Sequence, residues 1–378
     1  MTSRKQLDWL SALRGVAALA VVITHARRVF LDTPMWETAN SLFLPFAAGV
    51  DLFFVISGFL MFYTTFHQSG SLAARTFARK RFLRIWPAYF VISLLAMIAT
   101  GGLAFFTQIE QLRQFLLSIV FLPVNGDALF SGQSLGVGWT INYEAYFYVV
   151  FGLSLLAGAF RWWAIAAWFM FSLIILPLAL GAPSLVNPLL NYNVDVYPLS
   201  YLRIVTNPII WEFVGGIFAG YLFIYSGTIK NRKLATILSV SAILFAIWNT
   251  YYFYYYVSLS IGAGFTVLVA ALAVASKTVD FRVPKFLKRM GETSYTLYLV
   301  HFMIIEFARV SIFPPPENAI IGAVEMITII IVCLWAAERI SPIIEVQLPR
   351  YIERAYFGIA NQFTRDAPDK QMKTSPYD

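Results

Sequence analysis

ALRGVAALAVVITHARR, Ala12–Arg28, sets one arginine and one histidine eleven residues apart inside a single apolar run. At about 100° and 1.5 Å per residue, eleven helical steps make about 1100°, three turns plus a small remainder. Arg14 and His25 therefore share one helix face about 16 Å apart along the axis and can line one cavity. A charged group near a bilayer centre costs several kcal/mol unless it is paired or faces water, so both are site candidates. Snorkelling of Arg14 to headgroups and a purely structural role for His25 stay open on charge alone.

The rest of the chain reads the same way. Of 378 residues, 59% are hydrophobic and only 13% charged, with mean hydropathy +0.69; soluble domains carry roughly twice that share of charge. Apolar windows long enough to cross roughly 30 Å of hydrocarbon recur at 10–30, 45–65, 83–100, 138–159, 162–180, 204–225, 234–254, 257–276, 293–313 and 318–340. Leu112–Leu122 is too short to cross and reads as a re-entrant or interfacial helix. The expected fold is all-α and integral to the membrane, with about ten transmembrane helices. Residues 1–345 form the transmembrane domain, and 346–378 a cytoplasmic tail with a disordered end.

Net charge +8 does not point to nucleic acid, because the basic residues sit in short segments between windows. Arg75, Arg79, Lys80, Arg81 and Arg84 fall in one connection, Lys230, Arg232 and Lys233 in another, and Lys277, Arg282, Lys285, Lys288 and Arg289 in a third. These basic segments alternate with poorer ones, which predicts both termini on the cytoplasmic side. Arg4 and Lys5 before an apolar run mimic a signal peptide, but no small-residue exit follows, so an uncleaved first helix is expected. Cys333 is the single cysteine; no metal site is expected, and there are no matched breaks of the kind that transporter repeats carry. NTYYFYYYVS, Asn249–Ser258, reads as an aromatic belt or a sugar-stacking platform.

Depth brings further polar groups to His25. With this topology His25, Asp51 and Glu144 all lie roughly 7 to 9 Å below the outer surface. A carboxylate beside a histidine fixes its tautomer and raises its basicity, as a general base acting on an alcohol requires. Sequence gives depth but no azimuth, so unconnected buried pairs stay open. Glu212 and Glu306 are expected to pair with Arg203 or Arg309. On the inner side Arg81 and Arg84 stand one turn apart, a pair able to grip phosphates or simply a positive-inside cluster.

Five segments in order carry a resemblance: LDWLSALRGVAALAVVITH; GVDLFFVISGFLM, which holds Ser57; RKRFLRIWPAYF; GVGWTINYEAYFY, with Trp139, Glu144, Phe147 and Tyr148; and GETSYTLYLVH, with Tyr295 and His301. Together they resemble the acyltransferase-3 membrane O-acyltransferases of bacteria, whose members O-acetylate exopolysaccharides, lipopolysaccharide, peptidoglycan precursors and Nod factors. The fourth segment lacks the second acidic residue many members show, so only Glu144 is carried over. No SGNH-type domain is expected after the last span.

The resemblance implies acyl-CoA, most often acetyl-CoA, as the donor substrate, with no permanently bound cofactor. The acceptor would be a glycan or lipid-linked oligosaccharide, and the location the bacterial inner membrane, in contact with its lipids. Arg14, Arg81 and Arg84 would hold the donor. His25 would act as general base or transient acyl carrier, oriented by Asp51 or Glu144, and Ser57, Trp139, Tyr148, Tyr295 and His301 would support them. Tyr146 and Tyr148 are open candidates for an oxyanion donor. Two other readings of the buried ionisable residues remain: a proton-coupled transporter and a non-catalytic scaffold. The oligomeric state is not readable.

Overall fold

A computed structural model describes residues 7–124, 133–189, 201–253 and 258–355. Among them every regular element is a helix: α1 (Asp8–Ala26), α2 (Trp36–Phe43), α3 (Gly49–Thr65), α4 (Ser71–Gly101), α5 (Ile109–Ile119), α6 (Trp139–Leu156), α7 (Arg161–Met170), α8 (Leu176–Ala179), α9 (Tyr201–Val205), α10 (Ile210–Tyr225), α11 (Arg232–Phe253), α12 (Ser258–Ala275), α13 (Lys285–Glu292), α14 (Ser294–Ser311) and α15 (Ala319–Ser341). Only helices and closed barrels satisfy every backbone group in lipid, and these apolar runs take the first option.

Seven helical stretches of the described chain are long and apolar enough to cross a membrane. The other three expected windows form α6, α12 and α14, of 18 residues each. The short segment expected at 112–122 is α5, of 11 residues, tied to α4 by the Trp86 indole N–H, which donates to the Ile119 carbonyl at 3.0 Å. The last helix runs further than expected. Beyond Ser341 it continues through a wider turn at Pro342–Gln347 and on to Ala355, so residues 346–355, expected as tail, are helical. The expected disordered end, the N-terminal Arg4 and Lys5 and part of the 249–258 aromatic run lie outside the described residues.

In lipid, close packing replaces the hydrophobic drive between helices, and small residues permit it. Two crossings position the site. A Cβ at Gly291 would lie 1.8 Å from the Ser11 carbonyl oxygen, and one at Gly15 would lie 2.9 Å from the Gly291 nitrogen, so α1 and α13 touch through backbone. Arg14 is thereby held beside the start of α14. A Cβ at Gly58 would lie 2.2 Å from the Phe213 carbonyl oxygen, and one at Gly216 would lie 2.0 Å from that of Val55. That seam locks α3 to α10 and packs Phe54 and Phe213 face to face at 4.9 Å.

Candidate active site

Helices α1, α3, α4, α6 and α14 line a narrow, partly open cavity. Its walls carry Arg14, Ser57, Arg81, Arg84, Glu144, Tyr148 and Tyr295 from the sequence-based candidates. The Arg14 guanidinium donates to Ser294 Oγ at 3.0 Å, and Ser294 in turn donates to the Gly291 carbonyl at 2.9 Å. Arg81 lies over the rings of Phe77 and Tyr148, 5.3 and 5.1 Å from their centroids. Tyr148 donates its hydroxyl to Glu144, one turn back on α6, and Tyr295 donates to the Ile85 carbonyl at 3.0 Å. Three cations, one carboxylate and several hydroxyls thus converge in one apolar-walled space.

Arg14 and Arg84 also line a second, wider space of about 1260 Å³, which Arg79, Lys80, Glu292, Glu345, Arg350 and Glu353 share. Arg14 and Arg84 stand between the two spaces, and the outer one, with five cations against three carboxylates, is a basic vestibule. Glu345 is pinned there. It accepts from the Thr296 backbone N–H at 3.0 Å, from Thr296 Oγ1 and from Ser341 Oγ at 3.1 Å.

His25 and Arg14 share a helix face, yet His25 does not line the arginine cavity. Between them stand Phe53 and Tyr298, cavity-lining rings in edge contact at 6.0 Å. Beyond Tyr298, at 5.7 Å between ring centroids, is His301, fully buried, and 5.0 Å beyond that is the His25 ring. His301 Nε2 faces His25 Nδ1 at 3.3 Å. His25 Nδ1 also faces the Val21 carbonyl at 2.9 Å, and His301 Nδ1 faces that of Leu297 at 3.1 Å.

Neither expected carboxylate reaches His25. Asp51 turns toward α10 and lies beside Glu212. Glu144 turns into the arginine cavity, onto Tyr148. A shared depth placed them in one layer, but helix azimuth aims them at different neighbours. Glu306 does meet Arg309 at 3.0 Å, and it meets Arg28 as well. Trp139 packs edge-on against Tyr143 at 6.1 Å, outside the cavity, and Tyr146 accepts the Trp168 N–H at 2.7 Å rather than facing that cavity.

Three contributors were missed in the sequence. Tyr298, Ser294 and Thr140 line the cavity, with the Tyr298 and Thr140 hydroxyls 2.8 Å apart. Ser294, Tyr298 and His301 follow the i, i+4, i+7 spacing of one helix face, a signal that was present in SYTLYLVH. Among the described residues no group of three His, Cys, Asp or Glu side chains is placed to hold a metal ion.

Residues 7–338 match the family profile described as "Acyltransferase domain", acyltransferase-3. The chain belongs to this family. It is thereby an acyltransferase, and every arginine and histidine of the two clusters except Arg350 falls within the matched region. Nodulation protein 10 of Rhizobium leguminosarum bv. viciae is 28% identical over 316 residues, 78% of this chain and 81% of the relative. Exopolysaccharide production protein ExoZ of Rhizobium meliloti is 33% identical over 182 residues, 46% and 50% of the two chains. O-acetyltransferase OatA of Staphylococcus aureus is 26% identical over 343 residues, 82% of this chain but 52% of its own. This chain thus aligns with about half the length of the latter two relatives. No solved structure matches it.

Proposed function

We propose that this acyltransferase moves an acetyl group from acetyl-CoA to a hydroxyl of a cell-envelope or exported glycan, from an N-in, C-in bundle of ten spans in the bacterial inner membrane. The observation that carries this is that Arg14 and Arg84 line both the basic vestibule and the cavity that also holds Arg81. Guanidinium forks match phosphate oxygens bidentately, so a nucleotide phosphate donor fits the vestibule. Lys80 and Arg350 add cations that the paired arginines alone do not supply. The pantetheine arm would lie in the cavity beside Ser57, Tyr148 and Tyr295, with the thioester directed toward Tyr298 and the histidines. Phe53 and Tyr298 close that end, so passage of the acyl group requires their rings to turn.

At the histidines, His25 Nε2 takes the proton of the glycan hydroxyl as its oxygen attacks the thioester carbonyl. The C–O bond forms, the C–S bond breaks, and the proton passes to the departing CoA thiolate. The names of two relatives, an exopolysaccharide production protein and an O-acetyltransferase, support a polysaccharide acceptor. The test is purified protein in liposomes with acetyl-labelled acetyl-CoA and envelope glycan. Label in alkali-labile ester on the glycan is the expected result. Absence of donor binding, hydrolysis and transfer would overturn the proposal.

A further inference from the structure

We propose that His301 is a positioning residue that holds His25 in its Nδ1–H tautomer and leaves His25 Nε2 bare as the base. The inference rests on the reading of His25 as a base and supplies the partner that neither Asp51 nor Glu144 provides. A neutral imidazole has one donor nitrogen and one acceptor. His25 Nδ1 is 2.9 Å from the Val21 carbonyl, an acceptor only, so Nδ1 carries the hydrogen. His301 Nδ1 is 3.1 Å from the Leu297 carbonyl, so it too carries its hydrogen. His301 Nε2 is then a lone pair, aimed at His25 Nδ1–H from 3.3 Å. The Val21 carbonyl and the His301 lone pair therefore share one hydrogen, and both oppose the alternative His25 tautomer.

The same arrangement serves the charged state. When His25 Nε2 accepts the hydroxyl proton, Nδ1–H becomes a stronger donor, and the His301 lone pair already faces it. That is the part a carboxylate plays in a catalytic triad, performed here by a neutral group. A histidine that merely filled space would have no need to aim its second nitrogen at another imidazole. His301 is fully buried, and its ring is held between Tyr298 and His25.

The chain has three histidines, so ¹⁵N-histidine labelling of the full-length protein in liposomes gives an assignable spectrum, with His67→Asn identifying the third. Both His25 and His301 are expected as Nδ1–H tautomers. In His301→Phe the His25 signal is expected to become a mixture, kcat to fall about 10- to 100-fold and KM for acetyl-CoA to stay within about twofold. His301→Gln, which returns a carbonyl acceptor, should recover most of that loss. A wild-type His25 carrying hydrogen on Nε2 overturns the proposal, as does equal kcat in the Phe and Gln variants. If the Phe variant does not fold, the wild-type spectrum still decides. Transfer that survives His25→Ala refutes the base reading instead, while the spectrum continues to report the tautomer.

Discussion

His301 Nε2 stands 3.3 Å from His25 Nδ1, and no described carboxylate shares that contact. In the proposed reading, chemistry at His25 depends on an imidazole pair, while the donor is held by Arg14, Arg81 and Arg84 in the other cluster. This separation yields a clean expectation for His25→Ala. Loss of a general base costs about 10²- to 10⁴-fold in rate. Acetyl-CoA affinity, set some 16 Å away at Arg14, is expected to be unchanged by equilibrium binding to the same liposomes. A parallel loss of donor binding would show that the two clusters are one site.

Arg84 lies at the junction of cavity and vestibule. A charge-assisted hydrogen bond contributes about 1.5–3 kcal/mol net, so Arg84→Ala should raise KM for acetyl-CoA about 10- to 100-fold. Arg84→Lys keeps the charge but loses the planar fork and should recover only part of the affinity. Both effects should shrink as salt rises, because the vestibule is open to solvent. Steady-state kinetics at two ionic strengths check all three statements.

Why was one cluster legible in the sequence and the other only in part? Arg14 and Glu144 were found because a charge in an apolar run announces itself, Arg81 and Arg84 as a basic pair one turn apart, and Tyr148 by its motif; the structure brings all five into one cavity. Asp51 announced itself equally loudly but faces Glu212. Depth follows from counting residues at a fixed rise, whereas the neighbour a side chain meets depends on how helices are rotated and crossed. Those rotations are set by contacts such as Gly15 against Gly291, which join residues far apart in the chain. His301 was noted by its motif, but its partner on another helix could not be read. The helical fold itself was legible from apolar run length alone, while the continuation of the last helix to Ala355 was not, because its charged residues read as tail.

Glu345 joins those charged residues to the site. It accepts from the Thr296 N–H in the first turn of α14, and Thr296 is fully buried. Glu345→Ala would strand that donor, at a cost of about 1–3 kcal/mol, and should lower the unfolding temperature in detergent. Glu345→Gln retains a carbonyl acceptor and should lose much less stability. The same substitution removes a negative charge beside Arg14 and Arg84, so KM for acetyl-CoA should fall or hold, not rise. A higher KM in the Gln variant would mean that Glu345 positions the arginines rather than opposing the donor's charge.

The α3–α10 seam offers the last test, and its outcome should depend on coupling. Gly58→Ala would push a methyl to within 2.2 Å of the Phe213 carbonyl oxygen, and Gly216→Ala to within 2.0 Å of that of Val55. Backbone cannot swing aside as a side chain can, so either change forces the helices apart, at about 1–3 kcal/mol. Once parted, they accommodate the second methyl at little further cost. The double variant should therefore lose clearly less stability than the two single losses added together. Gly152→Ala is the matched control: its methyl would meet only Phe77, at 3.8 Å, and the helix preference for Ala over Gly should hold or slightly raise the unfolding temperature. Additive losses at the seam would mean that each glycine is needed for its own local backbone and not for the approach of the two helices.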